Sequence, residues 1–377
     1  MSLPDATLPE YGVVCPARRC APLPMGTEKV AYLRHFQQTK VPMTLGFGLL
    51  SAQRVANDDR AWEDVYAETI DLAVELERMG YASVWTTEHH FVDDGYMPSL
   101  LVTSAAIAAR TTTIAIGTGV LLAPMHRPVR LAEDAATVHV ISKGRLLLGL
   151  GLGWSEIEYE VLGVDMAVRG QALTEILQFL PMAWTGEPFT WDGAIYTHQE
   201  IAIRPAPTNP IPTIVGGGVD AAVRRAARFA DGFFSNASPQ RFNHQIRVGI
   251  EEMERLGRDP STFRWMYYAP MYPGPRSEIV SSVFEQTWKY SDMEASASRI
   301  GISTPPIPTE EDMERTDRRI LGGSANEIVE TVASIREAAG VPVEWIARSY
   351  FPDLAYEQQL DVAGRLATEV MPFLPTG

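Results

Sequence analysis

The residues with the clearest chemical potential are Glu88, His89 and His90, which follow directly on an apolar segment that ends near Trp85. Carboxylate and imidazole side chains are the groups that proteins use most often to move protons. In barrels of parallel strands, such groups sit where the strands end. Because neighbouring residues at a strand end point in different directions, at most two of the three can face one pocket. We expect His89 and Glu88 to be catalytic.

A second signal is the run Gly216, Gly217 and Gly218, which lies between a predicted strand and a predicted helix. Glycines let backbone N–H groups approach an anion, and the start of a helix favours negative charge. The run therefore predicts a phosphate-binding loop, although a tight turn without a ligand is an alternative. Asp220 is a plausible cap for the helix that follows.

Further glycines alternate with other residues where two of the predicted strands end. Gly149, Gly151 and Gly153 end one strand, and Gly117 and Gly119 lie on the strand before it. Missing side chains clear space for a flat ring against the backbone, although relief of crowding at barrel corners would need the same residues. The spacing differs from the dinucleotide-binding pattern Gly-x-Gly-x-x-Gly, and no helix follows directly. We therefore expect a single flat ring here.

Metal chemistry is a weaker interpretation of the same region. A metal site would need ligands from other strand ends, and the nearest candidates are His126 and His139. His139 falls inside a predicted helix, so we expect no metal. The two cysteines, Cys15 and Cys20, are too few for a zinc site and suit a reducing compartment.

Composition narrows the class of partner. The chain has 377 residues and a formal net charge of −15, which disfavours binding to nucleic acid or to an anionic membrane surface. It shows neither a signal-peptide pattern nor the roughly 20 consecutive apolar residues of a membrane span. We expect a cytoplasmic protein that acts on a small molecule.

The elements that would position these residues alternate regularly along the chain. Strand patterns alternate with helix patterns from about residue 43, which predicts an α/β fold with a parallel sheet, and eight such units predict a (β/α)8 TIM barrel. The predicted strands are 43–50, 81–87, 112–120, 145–150, 212–215, 232–235, 264–269 and 343–347. The predicted helices are 60–79, 98–110, 128–142, 168–185, 219–230, 239–257, 324–339 and 355–372.

Three segments depart from this alternation. Residues 1–40 are predicted to be an N-terminal extension, and 41–377 a single barrel domain. Residues 188–204 predict an inserted hairpin, with Trp191-Asp192-Gly193 as its turn. The proline-rich stretch 271–323, after strand seven, is too long for an ordinary connection and predicts a lid insertion, with a decorating subdomain as the alternative.

The chain resembles the bacterial luciferase-like family of flavin-dependent oxidoreductases over residues 43 to about 350. Each motif alone is modest, but their order and spacing together are specific. The segments that carry the resemblance are 84–91 (VWTTEHHF), 126–134 (HRPVRLAED), 142–145 (SKGR), 149–154 (GLGLGW), 162–165 (LGVD), 169–170 (RG), 184–188 (WTGEP), 216–218 (GGG) and 225–232 (RAARFADG).

The resemblance implies a barrel, usually dimeric, that holds reduced flavin at the carboxyl ends of its strands. His89 matches the histidine that serves the oxygen chemistry of the family's luciferases, and Glu88 is the acid beside it. The run Gly216–Gly218 would hold the flavin phosphate. Gly119 and Val120 fall where the family often has a non-proline cis peptide behind the flavin ring. Gly151 and Gly153 would line the same cofactor site, and the segment 271–323 matches a mobile lid.

One departure leaves the cofactor open. The luciferases have a phosphate-binding arginine in the loop after strand four, where this chain has Leu152. The glycine pattern at 149–154 occurs in both the FMN and the deazaflavin F420 branches, and 225–232 resembles the F420 branch. The Glu-His-His segment favours FMN.

The function implied is a monooxygenase that uses reduced FMN and O2 to oxygenate a small carbonyl or apolar substrate. Since no NAD-binding pattern is visible, a separate flavin reductase would supply the reduced flavin, and we expect a homodimer. The alternatives are an F420-dependent dehydrogenase or reductase, a non-catalytic flavin-binding protein and a zinc-dependent barrel hydrolase.

Overall fold

The structure of the chain, a computed structural model, describes residues 45–55, 58–291 and 306–375. The predicted extension at 1–40, both cysteines and the middle of the predicted lid lie outside the described residues.

Parallel strands form a closed barrel at the centre of the described chain. Its eight strands pair in the order β1, β2, β3, β5, β8, β9, β10 and β13, with β13 pairing back to β1. The prediction of a (β/α)8 TIM barrel is therefore confirmed. The barrel strands are β1 (Gly46–Leu50), β2 (Ser83–Thr86), β3 (Ala115–Thr118), β5 (Leu146–Gly151), β8 (Thr213–Gly216), β9 (Gly232–Ser235), β10 (Arg264–Ala269) and β13 (Val343–Arg348).

Short strands and a surrounding layer of helices complete the described fold. The short strands are β4 (Leu121–Leu122), β6 (Phe189–Asp192), β7 (Thr197–Ile201), β11 (Met271–Tyr272) and β12 (Leu321–Gly322). The helices are α1 (Trp62–Arg78), α2 (Leu100–Arg110), α3 (Pro128–Ile141), α4 (Glu156–Val161), α5 (Arg169–Ala183), α6 (Asp220–Phe229), α7 (Pro239–Arg255), α8 (Val280–Ser291), α9 (Glu310–Asp317), α10 (Ala325–Ala339) and α11 (Tyr356–Arg365).

Two hydrophobic layers follow from the alternation of side chains along each strand. In β10, Trp265 and Tyr267 pack outward against the helices, while Met266 and Tyr268 belong to the interior of the barrel. The buried interior cluster is made by Leu49, Trp85, Leu147, Ile214, Phe234, Met266 and Ile346. The barrel is therefore filled by side chains, and a ligand has room only at its ends.

The structure corrects two details of the sequence analysis and adds a third. The hairpin β6–β7 is present, but Trp191 and Asp192 belong to β6, and the turn lies at 193–196. Helix α4 was not predicted, because its six residues are too few for a periodic pattern. The predicted lid segment 271–323 contains helices α8 and α9, and β11 pairs with β12 at its base.

No helix within the described ranges is both long enough and apolar enough to cross a membrane.

Candidate active site

Two of the predicted cofactor-binding glycines, Gly151 and Gly216, meet at Val120, at the carboxyl end of the barrel. The peptide bond between Gly119 and Val120 is cis, as the resemblance implied. A Cβ atom placed on Gly216 would lie 2.8 Å from Val120 Cγ1, and one on Gly151 would collide with Cγ2 of the same valine. Three strand ends that are distant in sequence therefore meet at one half-buried side chain, and glycine is what allows them to meet.

Glu88 ties the end of β2 to the segment after this cis peptide. Its buried carboxylate accepts a 2.6 Å hydrogen bond from the backbone N–H of Leu122, and lies 3.9 Å from His90 Nε2. Burial disfavours the charged form of His90, but the nearby Glu88 and Glu158 carboxylates outweigh burial, so the pKa of His90 is raised above its ordinary value. Glu88 therefore holds a backbone position and favours a proton on its neighbour.

His89 is oriented by a carboxylate that the sequence analysis missed. Its Nδ1 atom lies 2.9 Å from Oε1 of Glu158, a residue of α4 whose side chain has 0% exposure. The same oxygen accepts the backbone N–H of His90 at 3.0 Å. Because a carboxylate oxygen accepts hydrogen bonds, the N–H at Nδ1 of His89 donates the hydrogen bond to it. Nε2 is then the ring nitrogen that can exchange a proton with a bound molecule.

Aromatic rings enclose the imidazole of His89, whose side chain is only 13% exposed. Tyr290 of α8 stacks on it with ring centroids 4.3 Å apart, and Tyr96 and Trp154 contact it edge-on at 4.9 and 6.0 Å. The Tyr290 hydroxyl donates to both carboxylate oxygens of Asp94, at 2.9 and 3.2 Å. The predicted lid segment therefore supplies one wall of the pocket around the candidate catalytic histidine.

The glycine run forms an open loop before helix α6. A Cβ on Gly218 would meet no atom within 4 Å, whereas one on Gly217 would lie 2.6 Å from the Ala222 Cβ. The residue at the N-cap position is Val219, which provides no side-chain hydrogen bond. The backbone N–H groups of the first turn therefore have no side-chain acceptor, which suits an anion.

Asp220 does not cap the helix as predicted. Its carboxylate is held instead by Arg241, at 2.7 Å, and by His244, at 3.0 Å, both from α7. Hydrogen bonds to His244 and Arg241 and the charge of Arg241 lower the pKa of Asp220. Because two basic side chains bind this carboxylate, it would repel a phosphate on the glycine loop less than an unpaired carboxylate would.

The remaining predicted cofactor residue lies beside the same site. Gly153 has a φ of +75°, a conformation that favours glycine, and its missing Cβ would lie 3.2 Å from Met125 Cε and 3.4 Å from Leu122 Cδ2. The neighbouring Leu152 is half-buried and packs against the core. The structure thus brings Glu88, His89, Gly151, Gly153 and the glycine run to one end of the barrel.

Among the described residues, no group of three or more His, Cys, Asp or Glu side chains is arranged to hold a metal ion. His126 and His139, the candidate ligands, are both placed where burial lowers the pKa of the imidazole.

Comparison with known sequences identifies the family. The sequence profile of the luciferase-like monooxygenases matches residues 43–342, so the chain belongs to that family. The chain is 32% identical over 203 residues to an F420-dependent glucose-6-phosphate dehydrogenase of Nakamurella multipartita. This alignment covers 51% of this chain and 59% of the relative. It is 31% identical over 171 residues to the oxygenase component of a flavin-dependent trigonelline monooxygenase of Acinetobacter baylyi, with 45% and 47% covered.

These alignments extend over about half of each chain, and both named relatives are enzymes. A solved structure with the same fold is the oxygenating constituent of 3,6-diketocamphane monooxygenase of Pseudomonas putida, in complex with FMN. It superposes with a TM-score of 0.70 at 18% identity, covering 88% of this chain and 99% of that one. That match supports the barrel architecture.

Proposed function

We propose that this protein is a flavin-dependent monooxygenase that uses reduced FMN and O2 to oxygenate a small organic substrate. The observation that carries the proposal is the contact between His89 and Glu158 inside an aromatic enclosure, at the same barrel end as the glycine loop. An oriented, shielded imidazole at the same barrel end as a loop that would bind phosphate combines a proton carrier, a site for a flavin and protection from water.

The chain fits a phosphorylated flavin at three points. The open loop at Gly216–Gly218 and the uncapped start of α6 would hold the phosphate. Val120, backed by glycines on both sides, would support one face of the flavin ring. Gly151 and Gly153 would leave room beside it. When bound, reduced flavin supplies the electrons and the reactivity towards O2 that the protein itself lacks.

The protein's own residues would orient reactants and manage protons. His89 would exchange a proton through Nε2 with the reacting molecule, while Glu158 keeps the ring in one orientation. Glu88 would maintain the backbone at Leu122 and the charge on His90. Tyr290, Tyr96 and Trp154 would keep bulk water from the imidazole.

The decisive experiment measures oxygen uptake and product formation with reduced FMN and a panel of aldehydes and ketones. Product that depends on both reduced FMN and O2 is the expected result, and a His89→Ala variant should lose it while still binding FMN. A His89→Ala variant as active as the wild type would favour a non-catalytic flavin-binding protein. Stoichiometric zinc in the purified, active protein would favour the barrel hydrolase instead.

An F420-dependent dehydrogenase or reductase is the second candidate, because one relative with 32% identity is an F420-dependent enzyme. In that case His89 would assist hydride transfer without O2. Equilibrium binding of oxidised FMN and of F420 to the same preparation separates the two candidates. Selective binding of F420, together with substrate oxidation that needs no O2, would replace the first proposal.

The proposal includes two protein partners. A separate flavin reductase would supply reduced FMN, as the description of a relative as an oxygenase component suggests. A second copy of the chain would form a homodimer, and the adjacent helices α2 and α3 carry the exposed apolar side chains Val102, Val140 and Ile141. Light scattering after gel filtration tests the dimer, and Val102→Asp should weaken it if this face is the interface.

A further inference from the structure

The interior of the barrel contains arginines at both ends of one pair of strands. The interior-facing side chains alternate along each strand: Arg264, Met266 and Tyr268 on β10, and Glu344, Ile346 and Arg348 on β13. In the strand register Met266 lies opposite Glu344 and Tyr268 opposite Ile346, so Arg348 lies beyond Tyr268, at the mouth. At the bottom, Arg264 and Glu344 form two hydrogen bonds of 2.6 Å each. At the opposite end of the barrel, its mouth, lies Arg348, the last residue of β13.

Arg348 lacks the partner that Arg264 has. Within the described ranges it forms no ion pair with a carboxylate, and its buried Nε atom has no hydrogen-bond acceptor. The side chain as a whole is half-buried. A buried hydrogen-bond donor without an acceptor costs free energy unless a ligand binds it. The chain has a net charge of −15, so acidic side chains are in excess, yet none of those described pairs with Arg348.

A second arginine lies close to the first. Arg319 precedes β12 by two residues, and the backbone N–H of Leu321 in β12 donates to the carbonyl of Pro270, directly after β10. Arg319 is exposed as a whole, but partial desolvation and the positive charge of Arg348 lower its pKa. No described carboxylate pairs with Arg319 either. The charges of both arginines also act on Tyr268, so the two unpaired guanidinium groups belong to the same end of the barrel.

The two arginines lie at the barrel end that carries the candidate catalytic residues. Burial raises the pKa of Tyr96 to about 12, although the positive charge of Arg348 by itself lowers this pKa. Arg348 pairs with Gly48 of β1, and the other neighbour of β1 is β2, the strand that leads to His89. The Tyr96 ring in turn lies 4.9 Å from that of His89. A molecule anchored at Arg348 would extend towards the imidazole.

We propose that Arg348, assisted by Arg319, binds a carboxylate or phosphate group of the substrate, so that the substrate is a small organic anion. This inference rests on the proposed function, because it assigns the substrate class of the same site. Guanidinium groups bind such anions with two parallel hydrogen bonds, and this gives both affinity and orientation. Arg348 acts here as a specificity residue, and His89 keeps the proton-transfer role.

The test compares anions with neutral counterparts, and benzamide matches benzoate in shape. Binding of benzoate and benzamide, and of phenyl phosphate and phenol, is measured by calorimetry on the flavin-loaded protein at low ionic strength and without turnover. We expect the wild type to bind each anion about tenfold or more tightly than its neutral counterpart. Arg348→Met should abolish this preference, Arg348→Lys should keep part of it, and Arg319→Met should reduce it severalfold.

The matched control is Arg130→Met, which removes an exposed arginine of α3 that is paired with Asp134 at 2.8 Å, and it should keep the full preference. Equal binding of anions and neutral molecules by the wild type at millimolar concentrations would overturn the proposal. So would an unchanged preference in a folded Arg348→Met variant. If Arg348→Met does not fold, the variants Arg348→Lys and Arg319→Met decide the question.

Flavin affinity distinguishes the two sources that an anion at Arg348 could have. If the arginine serves the cofactor instead, Arg348→Met weakens FMN binding and leaves the preference for benzoate intact, and the proposal fails. Because binding is measured without turnover, anion preference can be present even if the oxygenase reaction is absent. Failure of the substrate class and failure of the proposed reaction are therefore seen separately.

Discussion

The Nδ1 atom of His89 lies 2.9 Å from Oε1 of Glu158, although the two residues are 69 positions apart in the chain. The carboxylate has 0% exposure, so water does not compete for this contact. Such a pair fixes which ring nitrogen carries the proton. The geometry makes Glu158 the positioning residue of the candidate active site.

Glu158→Gln should therefore change the pH dependence as well as the rate. The glutamine can still accept a hydrogen bond but carries no charge, so the pKa of His90, which the Glu158 carboxylate helps to raise, should fall. We expect kcat to fall by about tenfold or more with little change in KM, and the part of the pH–rate profile that reports His90 to move to lower pH. Steady-state kinetics over a range of pH measures both effects.

Glu160→Gln is the matched control, because Glu160 lies on the same helix, two residues further on, and is exposed. It should leave both the rate and the profile unchanged. If Glu158→Gln lowers the rate but its pH profile superposes on that of the wild type, the carboxylate has only a structural role.

This pair also shows where prediction from sequence ends. Strands and helices repeat their polar and apolar pattern locally, so the eight barrel units, and with them the strand ends that carry Gly216–Gly218 and Glu88–His89, could be located from the chain alone. Glu158 lies on a six-residue helix with no periodic signal. The role of Arg348 depends on the registers of β10 and β13, because only the folded barrel shows which arginine has a partner. Contacts between distant elements are decided by packing, which a local pattern does not contain.

Tyr290 offers a test of whether the enclosure matters for the reaction. Its ring stacks on His89 at 4.3 Å, and its hydroxyl binds Asp94. Tyr290→Ala should admit water, so that reduced FMN is consumed by O2 without product. We expect the ratio of product to reduced FMN consumed to fall severalfold. Tyr290→Phe keeps the stacking ring and should retain most of the coupling, whereas equal coupling in the wild type and Tyr290→Ala would contradict a shielding role.

Val219 allows the phosphate site to be tested without damage to the fold. It is 61% exposed at the N-cap position of α6 and provides no hydrogen bond there. Val219→Asp should cap the helix and raise the free energy of unfolding of the protein by about 1 kcal/mol. The same carboxylate would compete with phosphate for the helix start, so FMN binding should weaken by about tenfold or more. Riboflavin, which lacks the phosphate, should bind as before.

Val219→Asn separates the effect of charge from that of capping, since asparagine also caps helices but is neutral. It should stabilise the protein with a smaller loss of FMN affinity than Val219→Asp. Titration of flavin fluorescence and thermal unfolding give the two quantities. If Val219→Asp binds FMN and riboflavin as the wild type does, the phosphate lies elsewhere.

Glu77, at the end of α1, stabilises the segment that leads into β3. Its carboxylate accepts backbone N–H bonds from Thr112, Thr113 and Ile114, at 2.8, 2.5 and 2.9 Å. Partial burial disfavours the charged form, but these hydrogen bonds outweigh burial and lower the pKa of Glu77 to about 2. Because the site is partly exposed to solvent, we expect Glu77→Gln to reduce the free energy of unfolding by only about 1–2 kcal/mol at neutral pH.

The sign of the pH dependence follows from the lowered pKa. The ionised carboxylate is favoured in the folded state, so its contribution is complete above the ordinary pKa of 4.5 and is lost as the pH falls towards about 2. Urea unfolding of the wild type and Glu77→Gln should therefore differ most at neutral pH and converge in acid. Glu75→Gln removes the carboxylate that pairs with the exposed Arg78 on the same helix and should cost less than about 0.5 kcal/mol. A difference between the wild type and Glu77→Gln that persists undiminished in acid would mean that shape, rather than charge, makes Glu77 stabilising.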